Sequence, residues 1–320
     1  MGSGGPVGAR RRRGAPTGRP RTRRAKCAPL HDRLADSTSP LPVGLVLTDR
    51  VQRWRSGRDL YRPAGEPFDP RAYEVAPIPD DTTARAFVQA HHYSGSYPAA
   101  RLRFGLYTRV GDLVGVAVFS VPPRPEVTTA WFHGDPLAHV ELGRFVLLDR
   151  VRANAESWTL ARCFRHLRRE GVEGVVSFSD PAPRVVGGRR VFGGHIGTIY
   201  QASNAVYAGR SRARTLRLLR SGPDRGRVFS DRAASKVRSA DRGHSYAVAQ
   251  LVAAGAEPPA STAPGALRAW ADRWIPCVTA PMRHPGNHRY LFGLDRRVLT
   301  ARARRAARPY PKLDLFGHPS

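Results

Sequence analysis

The sequence predicts a mixed α/β (α+β) protein: a central mixed sheet flanked by helices, with a basic disordered tail before it and a small extension after it. Three observations carry this. Strand-like and helix-like patterns alternate from Asp80 onward, as a layered fold requires. A hydrophobic fraction of 41% in 320 residues is enough for a sizeable core. Residues 1–40, by contrast, are rich in Arg, Gly, Pro and Ser, with no acid between Arg10 and Lys26, and cannot bury enough surface to fold.

Residues 41–79 carry recurrent prolines among scattered apolar positions and read as an irregular lead-in, so order is expected from near Asp80. Asp80, Asp81, Thr82 and Thr83 supply caps for a helix running to His91, with Ala86, Phe87 and Ala90 on its apolar side. Arg101 to Tyr107 and Leu113 to Val121 form a hairpin turning at Val110-Gly111-Asp112, and a third strand runs from His139 to Leu148. Asn154 then caps a helix in which Leu160, Phe164 and Leu167 recur at helical spacing, and Gly171 ends it. Cys163 within it is expected to be core packing. Val175 to Ser179 is a buried strand that stops at Asp180-Pro181. Residues 182–197 read as a Gly- and Arg-rich loop, after which Ile199 to Val206 and Thr215 to Leu219 are expected to close the sheet. A helix over Asp231 to Ala254, another over Leu267 to Trp274 and a strand Arg289 to Phe292 make up the extension assigned to 226–320.

A formal net charge of +28, almost all of it arginine, points to a polyanionic partner, because the guanidinium fork matches phosphate. Arginine-rich coding could inflate this number. Yet the charge also crowds 162–169, 184–190, 210–220 and 225–242, well outside the tail. A nucleic acid is therefore the expected partner, double-stranded DNA or RNA, since arginine neutralises either backbone. The chain offers no apolar run of bilayer-spanning length and no secretory leader, which places it in the cytoplasm with no membrane partner. Its three cysteines form no C-x-x-C pair, which argues against a thiolate zinc site.

The polar motifs are His91-His92-Tyr93-Ser94-Gly95 after the first helix, Leu142-Gly143-Arg144-Phe145 in a strand and Asn154-Ala155-Glu156-Ser157-Trp158 at a helix start. They continue with Ser177-Phe178-Ser179-Asp180-Pro181 and Ile199-Tyr200-Gln201-Ala202-Ser203-Asn204. Their joint spacing resembles the Mom family of phage DNA-modification proteins, which have a GNAT-like acyltransferase fold; the resemblance spans roughly 80–220, within a catalytic core drawn at 80–225, with a family-like tail in Arg289 to Leu294. It implies transfer of an acyl-derived, carbamoylmethyl-type group to N6 of adenine in DNA, protecting phage DNA from restriction. It also implies an acyl-CoA-type or glycyl donor, and leaves iron or another divalent metal open, through His92 and Asp180 if at all. By the same resemblance His92, Tyr93 and Asp180 are catalytic, while Arg144, Ser157 and Tyr200 bind the cofactor. The sequence departs from the GNAT pattern at Arg150-Val151-Arg152-Ala153-Asn154, which stands where a Gly-rich pyrophosphate turn is expected.

Read from the residues alone, Asp180 either takes a proton from the amine or merely starts a turn. His92 and Tyr93 are either titratable groups facing a cleft or a solvated and a hydrogen-bonded side chain. Arg144, in an apolar strand, needs a partner, which is Glu141, Glu156 or a cofactor phosphate. Ser157 lies where helix amides bind anions, but capping explains it equally. Arg184, Arg189 and Arg190 in the glycine-rich loop, and Arg232, Lys236 and Arg238 along the later helix, are the expected phosphate contacts. Competing functions are a GNAT-type acyltransferase acting on a small amine, protein or RNA, an N6-adenine methyltransferase lacking its donor loop, and a non-enzymatic basic DNA-binding protein.

Overall fold

In a computed structural model the described residues are 1–2, 50–55, 58–63, 65–186, 188–295 and 297–312. The chain divides into units Met1–Arg33 and Leu34–Ser320, and all that follows concerns the second. The basic tail expected over 1–40 lies outside the described residues apart from its first two.

In chain order the strands are β1 (Arg50–Arg55), β2 (Arg58–Pro63), β3 (Tyr73–Pro77), β4 (Ala100–Thr108), β5 (Leu113–Ser120), β6 (His139–Leu147) and β7 (Gly174–Ser179). They continue as β8 (Arg184–Val186), β9 (Arg189–Phe192), β10 (Val206–Arg210), β11 (Arg214–Leu219), β12 (Thr279–His284) and β13 (His288–Gly293). The helices are α1 (Asp81–His91), α2 (Glu126–Thr129), α3 (Ala155–Arg169), α4 (Thr198–Ala202), α5 (Asp231–Arg238), α6 (Ser245–Ala253), α7 (Pro264–Val278) and α8 (Ala301–Ala306).

The central sheet has seven strands in the order β10-β13-β7-β6-β5-β4-β3. All its pairings are antiparallel except β6 with β7. That parallel pair is short, running from His139↔Gly174 to Leu142↔Ser177. Beyond Leu142, β6 stays with β5 as far as Leu147↔Gly115, while β7 stays with β13 as far as Ser179↔His288. The two middle strands therefore part company within the sheet and leave a gap between them.

Local sequence explains the elements around that gap. Asp80 accepts the Thr83 N–H at 2.9 Å and starts α1. The helix buries Ala84 and Val88 against the sheet, whereas Ala86 and Ala90, expected inside, face solvent. β5 is buried on both faces, as an interior strand of Val, Ala and Phe should be. In α3, Leu160, Cys163, Phe164 and Leu167 make one buried stripe in the main core, together with Phe119, Val140 and Tyr290. Asn154 takes the N-cap position with φ +70 and makes no side-chain cap bond, so it does not cap as expected.

Other expectations are corrected. β3 already belongs to the central sheet, so regular structure precedes Asp80. The glycine-rich loop contains the β8–β9 hairpin. Residues 199–202 belong to helix α4 and the strand begins only at Val206, and β11 leaves the central sheet to pair with β12. The helix expected over 231–254 is two helices, broken where Ala240 and Gly243 take φ of +53 and +80. Strand β13 lies inside the central sheet, so 288–293 is part of the core and not of an appended piece. Helices α5, α6 and α7 bury a second apolar cluster that includes Leu219, Phe229, Leu251, Leu267 and Ile275.

Candidate functional site

The gap between β6 and β7 opens onto a cavity of about 150 Å³ lined by Leu142, Phe145, Leu147, Phe178 and Ile199 together with His92, Tyr93, His195 and Tyr200. The start of α3 supplies Asn154, Glu156 and Ser157 to its wall, and β1 covers one side with Val51, Gln52 and Arg53. Gln52 reaches across to donate to the Gly194 carbonyl at 3.0 Å.

His92 and Tyr93 leave the end of α1 and turn into the cavity, with their rings 4.3 Å apart. The Ser94 amide donates to His92 Nδ1 at 3.1 Å, so in the neutral ring the proton sits on Nε2. Burial holds this imidazole well below its usual pKa, and the nearby Arg144 and His195 add to the effect. Tyr93 packs on Phe192 of β9 at 4.7 Å and brings its hydroxyl to 3.4 Å from His195 Nε2. Burial and the nearby Asp180 push the Tyr93 phenol up, so it stays protonated. Burial pushes the His195 imidazole down to about 4 against the opposing pull of Asp180, so it stays neutral near neutrality.

Arg144 does not pair with Glu141 or Glu156. It donates through Nε to the Ser96 carbonyl at 2.8 Å and through a terminal nitrogen to Ser96 Oγ at 2.7 Å. In this way it ties the His92–Ser96 segment onto β6. Tyr200 is buried against Tyr290, with ring centroids 5.3 Å apart, and lines the cavity from α4. Ser157 Oγ donates to the Asn154 carbonyl at 3.3 Å.

Asp180 stands behind His195 and is absent from the cavity wall. Its Oδ1 accepts the Ala182 N–H at 3.0 Å and lies 2.8 Å from His284 Nε2, while its Oδ2 pairs with Arg184. Burial raises the carboxyl pKa, but the His284 hydrogen bond, the Arg184 charge and the Ala182 amide together outweigh it, and the group is held below its usual value. The Asp180 backbone carbonyl in turn accepts the His195 N–H at 2.8 Å.

Arg184 is 9% exposed, pairs with Asp180 and lies over the Phe192 ring at 4.3 Å, so it points inward. The side chain of Arg189 lies outside the described residues, and Arg190 is exposed. On α5, Arg232 is exposed, Lys236 sits over the Tyr246 ring at 5.5 Å, and Arg238 pairs with Asp272 at 2.7 Å. His195, His284 and Arg53 are the site residues that sequence reasoning did not single out. The Gly-Gly-His195-Ile-Gly context, with a histidine between flexible hinges, was the available signal.

Among the described residues no group of three or more His, Cys, Asp or Glu could hold a metal ion. Both Asp180 oxygens and His92 Nδ1 are already engaged, so this pair does not fit a metal. The turn entering α3 is equally committed. Arg53 donates to the carbonyls of Leu148, Val151 and Arg152 and to Glu156 Oε1, while Glu66 accepts the Ala153 N–H at 3.0 Å. The Arg62 hydrogen bond holds the Glu66 carboxyl down to about 2, so a carboxylate stands where a diphosphate would need bare amides. These residues do not fit a CoA diphosphate.

A family model described as the Mom protein family matches residues 72–253. No curated protein matches the chain. Among solved structures, a GNAT family N-acetyltransferase (YhbS) from Escherichia coli in complex with CoA is 12% identical, covering 44% of this chain and 72% of that one, with a TM-score of 0.28. A tandem GNAT protein from the clavulanic acid biosynthesis pathway is 11% identical, covering 69% of this chain and 98% of that one, with a TM-score of 0.35. No described helix is long and apolar enough to cross a membrane.

Proposed function

The chain belongs to the Mom protein family, and from that premise we propose that it is a transferase placing an acyl-derived, carbamoylmethyl-type group on N6 of adenine in DNA, so shielding phage DNA from restriction in the host cytoplasm. The observation that carries the reading is the cavity between the parted strands, where His92, Tyr93, His195 and Tyr200 present polar groups on an apolar wall. Such a wall suits an uncharged heterocycle with one exchangeable amine. The +28 charge supports a DNA substrate, and Arg190 and Arg232 are exposed among the expected phosphate contacts whose side chains are described.

Adenine N6 is a weak nucleophile because its lone pair is shared with the ring, so placement against the donor matters more than a strong base. As N6 bonds to the carbon of an acyl-type or glycyl donor, the donor's bond to its leaving group breaks and the leaving group departs with that electron pair; the nitrogen is then acidic and a weak base suffices to take its proton. Neutral His195 fills that role, with the Tyr93 hydroxyl beside it and the Asp180 charge behind it to favour the imidazolium as it forms. Asp180 thus acts through His195, and Arg184 and Arg144 hold the surrounding segments in place. Nothing in this sequence of events depends on a metal or a CoA diphosphate.

Mass spectrometry of nucleosides from DNA and RNA of cells expressing the protein tests the reading. A new adenosine-derived species in DNA is expected. Unmodified DNA beside a modified RNA nucleoside or an acylated small amine would overturn it.

A further inference from the structure

We infer that His284 is a positioning residue for the reaction, holding Asp180 through a single fixed tautomer from a strand that lies beyond the family-matched segment. The inference rests on the proposed function for its reaction, but the geometry stands by itself. His284 is fully buried at the end of β12. The Gly286 amide donates to its Nδ1 at 3.0 Å, which makes that nitrogen the acceptor and leaves the proton on Nε2. Nε2 then donates to Asp180 Oδ1 at 2.8 Å. The Gly286 donor occupies a position that only glycine fits: its φ is +97, and a Cβ there would collide with the Ser211 carbonyl.

A chain of contacts therefore runs from the turn after β12 into the cavity: Gly286 to His284, His284 to Asp180, the Asp180 carbonyl to the His195 amide, and His195 to the Tyr93 hydroxyl. The groups facing Asp180 come from separate elements: Arg184 from β8, His284 from β12, His195 from the loop before α4, and Tyr93 from the end of α1. Arg184 supplies charge. His284 supplies direction, because it is the partner whose donor atom is fixed by a second hydrogen bond on the opposite side of its ring. Residues 72–253 match the family, so His284 brings into the site a group from outside that segment.

Two isosteres separate positioning from plain packing. His284→Gln carries its amide nitrogen where Nε2 was and can still donate to Asp180, whereas His284→Asn carries its oxygen where Nδ1 was and keeps only the Gly286 bond. Positioning predicts near-normal modification by the Gln variant. It predicts a loss of roughly tenfold or more in kcat for the Asn variant, with KM for DNA unchanged and the acid limb of the pH profile moved upward. Equal activities for the two, or a loss in KM alone, would overturn the inference. Nitrogen-detected NMR of the full-length wild-type protein provides a readout independent of activity and of variant folding. In its neutral form the His284 ring should carry the proton on Nε2 and leave Nδ1 bare, and the opposite tautomer would overturn the inference. If no nucleoside is modified, the proposed function fails while the NMR result still decides the role of His284 in holding Asp180.

Discussion

Glu156 and Asp180 are both shielded carboxylates paired with an arginine, and they show how one pairing can do two jobs. Glu156 and its partner Arg53 have side-chain exposures of 7% and 3%. The rest of that guanidinium is used up on the carbonyls of Leu148, Val151 and Arg152. These bonds go to the turn that enters α3 and to the first turn of α3 itself, and they stitch the β1–β2 hairpin to the body. Asp180 and Arg184, at 14% and 10%, are joined by a histidine and are linked through a backbone carbonyl to a second histidine that faces the cavity. The first pair holds a turn closed. In the proposed reaction the second sets the field beside His195. What separates them is the neighbourhood, since the side-chain chemistry of the pairs is the same.

Breaking the clasp should have the largest effect. Arg53→Met leaves Glu156 buried and unpaired and strips the turn's carbonyls of their donor, so a loss of about 3–5 kcal/mol of stability is expected by denaturant unfolding. A loss below about 1 kcal/mol would put this pair in the same class as an exposed one.

The second pair should fail in the opposite way. Asp180→Asn by itself strands the Arg184 cation, so the cleaner test is Asp180→Asn with Arg184→Gln, which removes both charges and keeps donors and acceptors. Modified adenine per plasmid should fall about 100-fold or more while the melting temperature stays within a few degrees. Unchanged modification would show that Asp180 only shapes a turn.

Tyr93→Phe sharpens the comparison at smaller amplitude. The ring packing on Phe192 survives and only the hydroxyl near His195 is removed, so roughly tenfold slower modification at unchanged stability is expected. Full activity in this variant would remove the hydroxyl from the chemistry.

The Asp180 side should also carry a pH signature. Burial holds His195 and His288 down to about 4, so both stay neutral in the folded protein where the imidazoles of the unfolded chain take up protons. Their contribution is complete above about pH 6.5 and is lost as pH falls from there toward 4, by about 1.4 kcal/mol per pH unit for each imidazole. Melting temperatures from pH 7 to 5 should drop, and His195→Gln should remove one imidazole's share of the slope. A flat profile would mean that these rings are solvated.

The smallest effect belongs to the surface. Arg232→Ala with Lys236→Ala should weaken DNA binding a few-fold and lower the salt dependence by about one ion for each phosphate no longer neutralised, leaving modification at saturating DNA intact. An unaltered salt slope would move the DNA path away from α5.

Elements with local signals were legible in the sequence. The Asp80 cap, the β-rich runs of β4 and β5 and the Leu160-Phe164-Leu167 stripe each depend on residues close along the chain. What stayed hidden was non-local. The sequence does not say that β13 returns to lie between β10 and β7, or that β11 abandons the sheet for β12. The break between α5 and α6 depends on a positive φ at Ala240, a residue whose propensity argues for continued helix. The site divides along the same line. His92, Tyr93, Ser157 and Tyr200 were found by motif and do line one cavity, while Asp180 was found by motif but lies behind it. His284 and Arg53 act across 104 and 103 residues of chain, and their neighbours in sequence announce nothing.

The late return of β13 also bears on how the protein is made. β7 pairs with β6 on one side and with β13 on the other, and more than half of the strands in the sheet are already synthesised before β13 exists. As the chain leaves the ribosome, the β7 edge Gly174–Ser179, all apolar or hydroxyl-bearing, stands open until His288–Gly293 has emerged. An unpaired apolar edge is a template for joining another nascent chain. A gene fragment cut at residue 253, where the family match ends, would leave that edge permanently unpaired and the wall beside Tyr200 without Tyr290. Such a fragment is expected to be recovered from cells as aggregate, however faithfully it preserves the recognisable motifs.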